Sequence, residues 1–141
     1  MNTSSFALLF MFTITLHNIE EALWLPQWSH HAKKYHKPLE RKEFHFALIV
    51  ITALAYVISG LFLFFPKVFF IKCLFVGYVG AMILNVFFPH IIATILLKRY
   101  APGLITGVLV NLPLNSLIII NMLNGKKVTQ FDVASSTFVV A

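Results

Sequence analysis

The chain has 141 residues, 59% hydrophobic and 11% charged, with a formal net charge of +6, and its mean hydropathy is +0.84. That apolar content exceeds what water-soluble domains carry and implies an integral membrane protein. The basic excess does not signal nucleic acid, because lysines and arginines fall at the ends of apolar runs, where head groups and topology explain them.

About 20 apolar residues of helix cross a hydrocarbon core, and four windows qualify, at roughly 5–24, 44–65, 69–97 and 102–123. The fold class predicted is an all-α membrane protein, a compact bundle of four transmembrane helices. Residues 1–124 form the membrane domain and 125–141 a short C-terminal tail. The N-terminal "MNTSS" has no basic start and no small-residue cleavage site follows, so the first helix is expected to be retained. No internal repeat or low-complexity tract divides the chain.

The first window ends in "TLHNIEEALWLP", which places His17, Glu20 and Glu21 together. On a helix these share a face, with Thr13 one turn deeper on the same stripe. An acidic residue at the bilayer centre costs about 2.5 to 3.5 kcal/mol, less near the interface, so the pair needs a cation or a water-filled cavity. The connection that follows holds Lys33, Lys34, Lys37, Arg41 and Lys42, and "KRYAPG" adds Lys98 and Arg99 on the same side. Against Lys67, Lys72, Lys126 and Lys127 on the other, this bias puts loop 24–43 in the cytoplasm and both termini outside. Trp24, Trp28, Tyr35 and Tyr100 mark the same interface. His30, His31 and His36 lie in the basic loop and read as a solvated interfacial face rather than a metal site.

The second window brings His45 near its cytoplasmic start. In the third, the single cysteine, Cys73, sits in apolar "IKCLFVG" and reads as a buried, unreactive thiol. Further along, "NVFFPH" carries Asn85, a kinking Pro89 and His90. The fourth opens on "YAPGL", with Pro102 in its first turn and Gly103 allowing close packing, and Arg99 and Tyr100 beside it as head-group contacts. Asn111 and Asn115 flank Pro113, which kinks this helix. Their amides either repair the backbone bonds that the proline breaks or serve a site. The tail "GKKVTQFDVASSTFVVA" begins with a helix-stopping Gly125 and shows no strong period, so it reads as a loosely ordered end.

Counted from the cytoplasmic ends, His17 lies about 10 Å deep, His90 and Asn111 about 12 Å, and Glu21 and His45 about 4 to 5 Å. Asn85 and Asn115 form a deeper pair at about 18 to 20 Å. Two imidazoles and two carboxylates converging in a dry bundle suit a divalent metal, Zn²⁺ or Fe²⁺, with positions left open. The predicted ligands are His17, Glu20, Glu21 and His90, with His45 as a further one. If only one of Glu20 and Glu21 ligates, the other is placed to act as a catalytic general base. Asn85, Asn111, Asn115 and Thr13 would then orient substrate or ligands.

Plainer explanations stand beside this one. Near Trp24 the two acids can snorkel toward water, and His90 can bond a carbonyl freed by the kink.

"HNIEE" before a tryptophan-proline pair, then "NVFFPH", then "RYAPGLITG" resembles the HXXEE family of small bacterial membrane proteins over roughly residues 13–115. The family is defined without an activity. The resemblance implies that His17, Glu20, Glu21 and His90 form the family's site, and it implies no substrate.

The leading expectation is a metal-dependent membrane enzyme, a hydrolase, isomerase or oxygenase, acting on a lipid-soluble or amphiphilic substrate that enters between helices. Its partners would be the bilayer and that substrate, with no nucleic acid, and it can oligomerise. Two alternatives remain open: a proton- or cation-coupled transporter or channel subunit, which would need to oligomerise to build a path, and a metal-free ligand-binding accessory protein.

Overall fold

A computed structural model describes residues 2–34 and 37–141. Tyr35 and His36, two of the loop residues expected at the interface, lie outside the described residues. Among those described, every regular element is helical. Four helices are long and apolar enough to cross a membrane: α1 (Thr3–Ala32), α2 (Arg41–Phe64), α3 (Phe69–Leu97) and α4 (Leu104–Asn124). A fifth, α5 (Gln130–Val140), is short.

Each long helix overlaps one window read from hydropathy. The largest difference is at α1, which continues past the tryptophan-proline pair to Trp28, with Pro26 inside it, and closes in a 3-10 turn at Ser29–Ala32. There His30 and His31 are exposed. Large side chains such as Phe46, Ile49, Phe64 and Ile95 face outward. In water such a surface would drive aggregation; around helices of membrane-spanning length it is suited to contact with lipid.

Both expected proline bends coincide with a widening of the helix. In α3 the turn Val86–Ile91 is π-helical, and Phe88 leaves helical geometry at φ −130° and ψ 112°. It is the residue before Pro89, which the proline ring pushes out of the α region. In α4 a π-helical stretch at Gly107–Asn111 runs up to the segment that holds Pro113 in its first turn. Pro102 lies just before α4 rather than in its first turn, and Gly103 takes the N-cap position with φ 94°.

The interior has two halves of different chemistry. Toward the start of α1, Phe6, Phe10 and Ile14 pack with Phe62 of α2, Phe75 and Val79 of α3, and Ile118 and Met122 of α4. Phe62 stacks on Phe75 at 4.3 Å, and Phe10 meets Phe75 edge-on at 5.6 Å. This apolar plug fixes how the helices sit against one another. Toward the end of α1, the buried residues are instead Thr13, His17, Glu20, Glu21, His90, Asn111 and Asn115.

The tail departs from expectation. The sequence of residues 125–141 predicts a loosely ordered end, but α5 starts at a capping box in which Thr129 and Asp132 satisfy each other's backbone N–H groups. These bonds hold the Asp132 carboxyl below its usual range. α5 then lies along α3 where Gly77 and Gly80 open a seam: a Cβ on Gly77 would stand 2.6 Å from the carbonyl oxygen of Ser136. A helix of 11 residues is marginal in isolation, and a partner surface without side chains is what a tail sequence cannot announce. Cys73, expected to be buried, is half-buried, on a small pocket that Ser135 and Ser136 of α5 also line.

Candidate metal centre

Glu20 and Glu21 are neighbours in sequence but not in environment. Successive residues on a helix are turned by about 100°, so Glu20 points at the start of α4 and Glu21 at α3.

Around Glu21 the structure assembles His17 and His90. His90 Nε2 is 2.9 Å from Glu21 Oε1, and His17 Nε2 is 3.5 Å from the same oxygen. The two imidazole rings meet edge-to-face with centroids 5.0 Å apart. One ligand atom from each of the three residues lies within 4.8 Å of the others, and all three residues are buried. Two imidazoles and one carboxylate are the donor set that Zn²⁺ and Fe²⁺ accept, and a three-residue set leaves positions open. The cluster could hold a metal.

Asn85 belongs to this group. Its Nδ2 lies 3.0 Å from His17 Nε2 and 3.4 Å from His90 Nε2. Asn85 and His90 are five residues apart, and the wide turn between them brings the pair onto one face. Depth counting along a regular helix put Asn85 with Asn115 instead. Asn115 takes its bonds elsewhere, from Thr13 at 3.1 Å and toward Asn111 at 3.4 Å. Thr13, Asn111 and Asn115 therefore form a separate polar layer nearer the apolar plug, with the Thr13 hydroxyl shared between Asn115 and the Phe10 carbonyl at 2.9 Å, and these bonds do not go to the backbone freed by Pro113.

Glu20 is engaged by α4. Its Oε1 accepts from the Gly103 backbone N–H at 2.7 Å and from the Tyr100 hydroxyl. Its Oε2 accepts from the Thr106 N–H at 2.8 Å and the Thr106 hydroxyl at 2.5 Å. A helix start has N–H groups with no partner in its own helix and a partial positive charge. Glu20, reaching across from α1, supplies both the acceptor and the charge. Partial burial and the bond to Glu20 raise the Tyr100 phenol above its ordinary value, so it stays a donor. With four donors on two oxygens, Glu20 stands outside the His17, Glu21, His90 group.

The two acids are nonetheless linked. His17 Nδ1 is 3.1 Å from Thr106 Oγ1. A hydroxyl has one proton to donate. Thr106 gives it to the Glu20 carboxylate, so its oxygen accepts from His17, which places the His17 proton on Nδ1. In the neutral ring the lone pair then lies on His17 Nε2, and the Asn85 amide at 3.0 Å is a suitable donor to it. Glu21 Oε1 accepts a hydrogen bond from His90 Nε2 at 2.9 Å. Metal-binding histidines usually have the second nitrogen tied in this way.

Gly103 has a second task. A Cβ there would stand 2.8 Å from Nδ1 and Nε2 of His90, and the positive φ strains any other residue. The bare backbone lets the His90 ring lie flat against the start of α4.

His45 lies apart from the cluster. Its Nε2 is 2.8 Å from the carbonyl oxygen of Ala22. Pro26, four residues on, has no N–H to offer that carbonyl, so His45 replaces the helix bond that the proline removes. Asn18, inside the "HNIEE" stretch, donates to Thr52 of α2 at 2.7 Å. Thr106 was not singled out from sequence. The signal was present in the buried acid itself, which needs donors, and in the helix start at "APGLIT", which has free ones.

These features define a class: an all-helical bundle with four membrane-length helices and a buried His and Glu cluster that its first and third helices share. Within it, the chain belongs to the family described as a protein of unknown function with HXXEE motif, which matches residues 8–118. The motif is His17 to Glu21. The chain is also 50% identical over 135 residues to the uncharacterized protein YrkK of Bacillus subtilis (strain 168), covering 96% of this chain and 85% of that one. No solved structure matches the chain.

Proposed function

We propose that this protein is a metal-dependent integral membrane enzyme acting on a lipid-soluble or amphiphilic substrate. The observation that carries the reading is the buried convergence of His17, Glu21 and His90, with ligand atoms within 4.8 Å of one another. These three would hold Zn²⁺ or Fe²⁺, and when bound the ion supplies Lewis-acid chemistry at its open positions. His17 binds through Nε2, because Thr106 and Glu20 hold its other nitrogen. Asn85, whose amide gives up the His17 Nε2 lone pair to the ion, then offers its N–H groups to a substrate oxygen. Glu20 serves as a positioning residue, since its oxygens are already engaged. The basic loop between α1 and α2 faces the cytoplasm, with both termini outside, and the bilayer supplies substrate laterally.

The test is metal content of the protein purified in mild detergent. About one equivalent of Zn²⁺ or Fe²⁺ per chain, lost in Glu21→Gln and His90→Ala at unchanged helicity, is expected. A wild-type protein that takes up neither ion after reconstitution overturns the reading.

A second reading, a cation- or proton-coupled carrier, is favoured by the polar layer beyond the cluster, where the buried Nδ2 of Asn111 has no partner. Flux into proteoliposomes that Asn111→Leu abolishes, from protein free of metal, would select it.

A further inference from the structure

The Glu21 side of the cluster is open to a cavity of about 720 Å³ between α1, α2 and α3. Its walls are apolar, with Ile51 of α2 facing Ala81, Leu84 and Phe88 of α3. Glu21 and Asn85 are polar lining residues of this cavity as well as members of the cluster. Two other polar residues along it are engaged elsewhere: the Tyr78 hydroxyl donates to the Ile51 carbonyl and the Asn18 amide to Thr52. Unengaged polar chemistry on the cavity wall is thus concentrated at Glu21 and Asn85, which the buried histidines contact from behind.

The far wall is the end of α5, through Val140 and Ala141. α5 runs back along α3 from the neighbourhood of Lys72, past Gly77 and Gly80, toward Asn85. Its 11 residues span about 16 Å, roughly half a hydrocarbon core. Phe131, Phe138 and Val139 face outward, as lipid-exposed residues do. The glycine seam therefore seats a half-length helix whose last turn lines the apolar cavity that reaches Glu21.

We propose that this cavity binds a single-chain amphiphile with an anionic oxygen head group, such as a carboxylate or phosphate. The head sits at Glu21 and Asn85, and the chain lies between α2 and α3 against the end of α5. The proposal rests on the metal reading: two neutral imidazoles, one carboxylate and a dication leave a net positive charge with open positions, which an anionic oxygen fills. The Asn85 amide adds a donor on the same side. Without the metal, the Glu21 carboxylate would favour a cationic head instead. The volume falls in the range of sites that enclose a small organic ligand.

The experiment uses the full chain in lipid nanodiscs with two photoactivatable probes of equal length, a palmitate and a hexadecylamine, each with its diazirine a few carbons from the head group. Labelled residues are mapped by mass spectrometry, and metal content is measured on the same samples. The expected result is palmitate labelling concentrated on Ala81, Leu84 and Val140 in metal-loaded protein, reduced roughly tenfold by Leu84→Trp at unchanged metal content. Leu84 lines the cavity and is half exposed, so the larger ring meets no tightly packed core; Ala81→Phe repeats the test from the adjoining turn. Palmitate spread evenly over the outer helix faces, or labelling that both variants leave unchanged, overturns the inference while stoichiometric metal leaves the metal reading standing. Cavity labelling by the amine alone, in protein that holds no metal, overturns both.

Discussion

Glu20 and Glu21 are the same residue type, adjacent in sequence, in the same helix, and both are buried. Glu20 meets four donors from the α3–α4 connection and the first turn of α4, so it acts as a remote cap. Glu21 meets two imidazoles and an open cavity. A saturated carboxylate holds structure together, whereas one with unfilled lone pairs and histidine neighbours can take a cation. What separates their roles is the rotation of about 100° per residue and what each direction faces.

Breaking the first side of the comparison should have the largest effect on stability. Glu20→Ala removes acceptors from two backbone N–H groups and two hydroxyls at a buried helix start. The expected loss is on the order of 3 kcal/mol, since a buried donor left without a partner costs about 1 to 3 kcal/mol. Thermal unfolding in detergent should show a clear drop for Glu20→Ala and little change for Glu21→Gln, with the opposite ranking for metal content. Equal stability losses would abolish the distinction.

The link between the two sites predicts a smaller, more selective effect. Thr106→Val keeps the shape of the side chain but removes the oxygen between Glu20 and His17. Metal affinity should fall by about 10- to 100-fold, the usual range for a partner of a ligating histidine. Nitrogen-15 NMR of the histidine rings should show His17 losing its Nδ1–H preference, while Thr106→Ser restores it. A His17 tautomer unchanged in Thr106→Val would remove Thr106 from the link.

The smallest effect concerns His45, which the sequence placed among the metal ligands and the structure places on the Ala22 carbonyl. His45→Ala should cost about 1 kcal/mol, one hydrogen bond's net worth, and leave metal content at the wild-type value. In Pro26→Ala, which restores the N–H, His45→Ala should cost less. A metal content that falls with His45 would return it to the centre.

Much of this protein is legible in its sequence. Hydropathy located four spans because each crossing needs about 20 apolar residues regardless of context. Polar residues inside such spans are costly enough that His17, Glu20, Glu21 and His90 stood out as a set. Less legible was anything that depends on local departures from ideal helix. The five-residue spacing of Asn85 and His90 places them on one face only because the turn before Pro89 is widened. α5 has no strong period of its own, and its order comes from the capping box and from two glycines of α3 some fifty residues earlier.

The sequence by itself determined that the chain is an all-helical bundle of membrane-length helices, with histidine and carboxylate chemistry confined to one end of the interior. It did so because transfer of side chains between water and hydrocarbon is a property of composition along the chain. Only the tertiary structure decided which acid faces the histidines, that Thr106 stands between the two glutamates, and that His45 repairs a proline break. Those assignments depend on which donor lies within about 3 Å of which acceptor, a distance that packing between helices sets and that spacing along one helix does not contain.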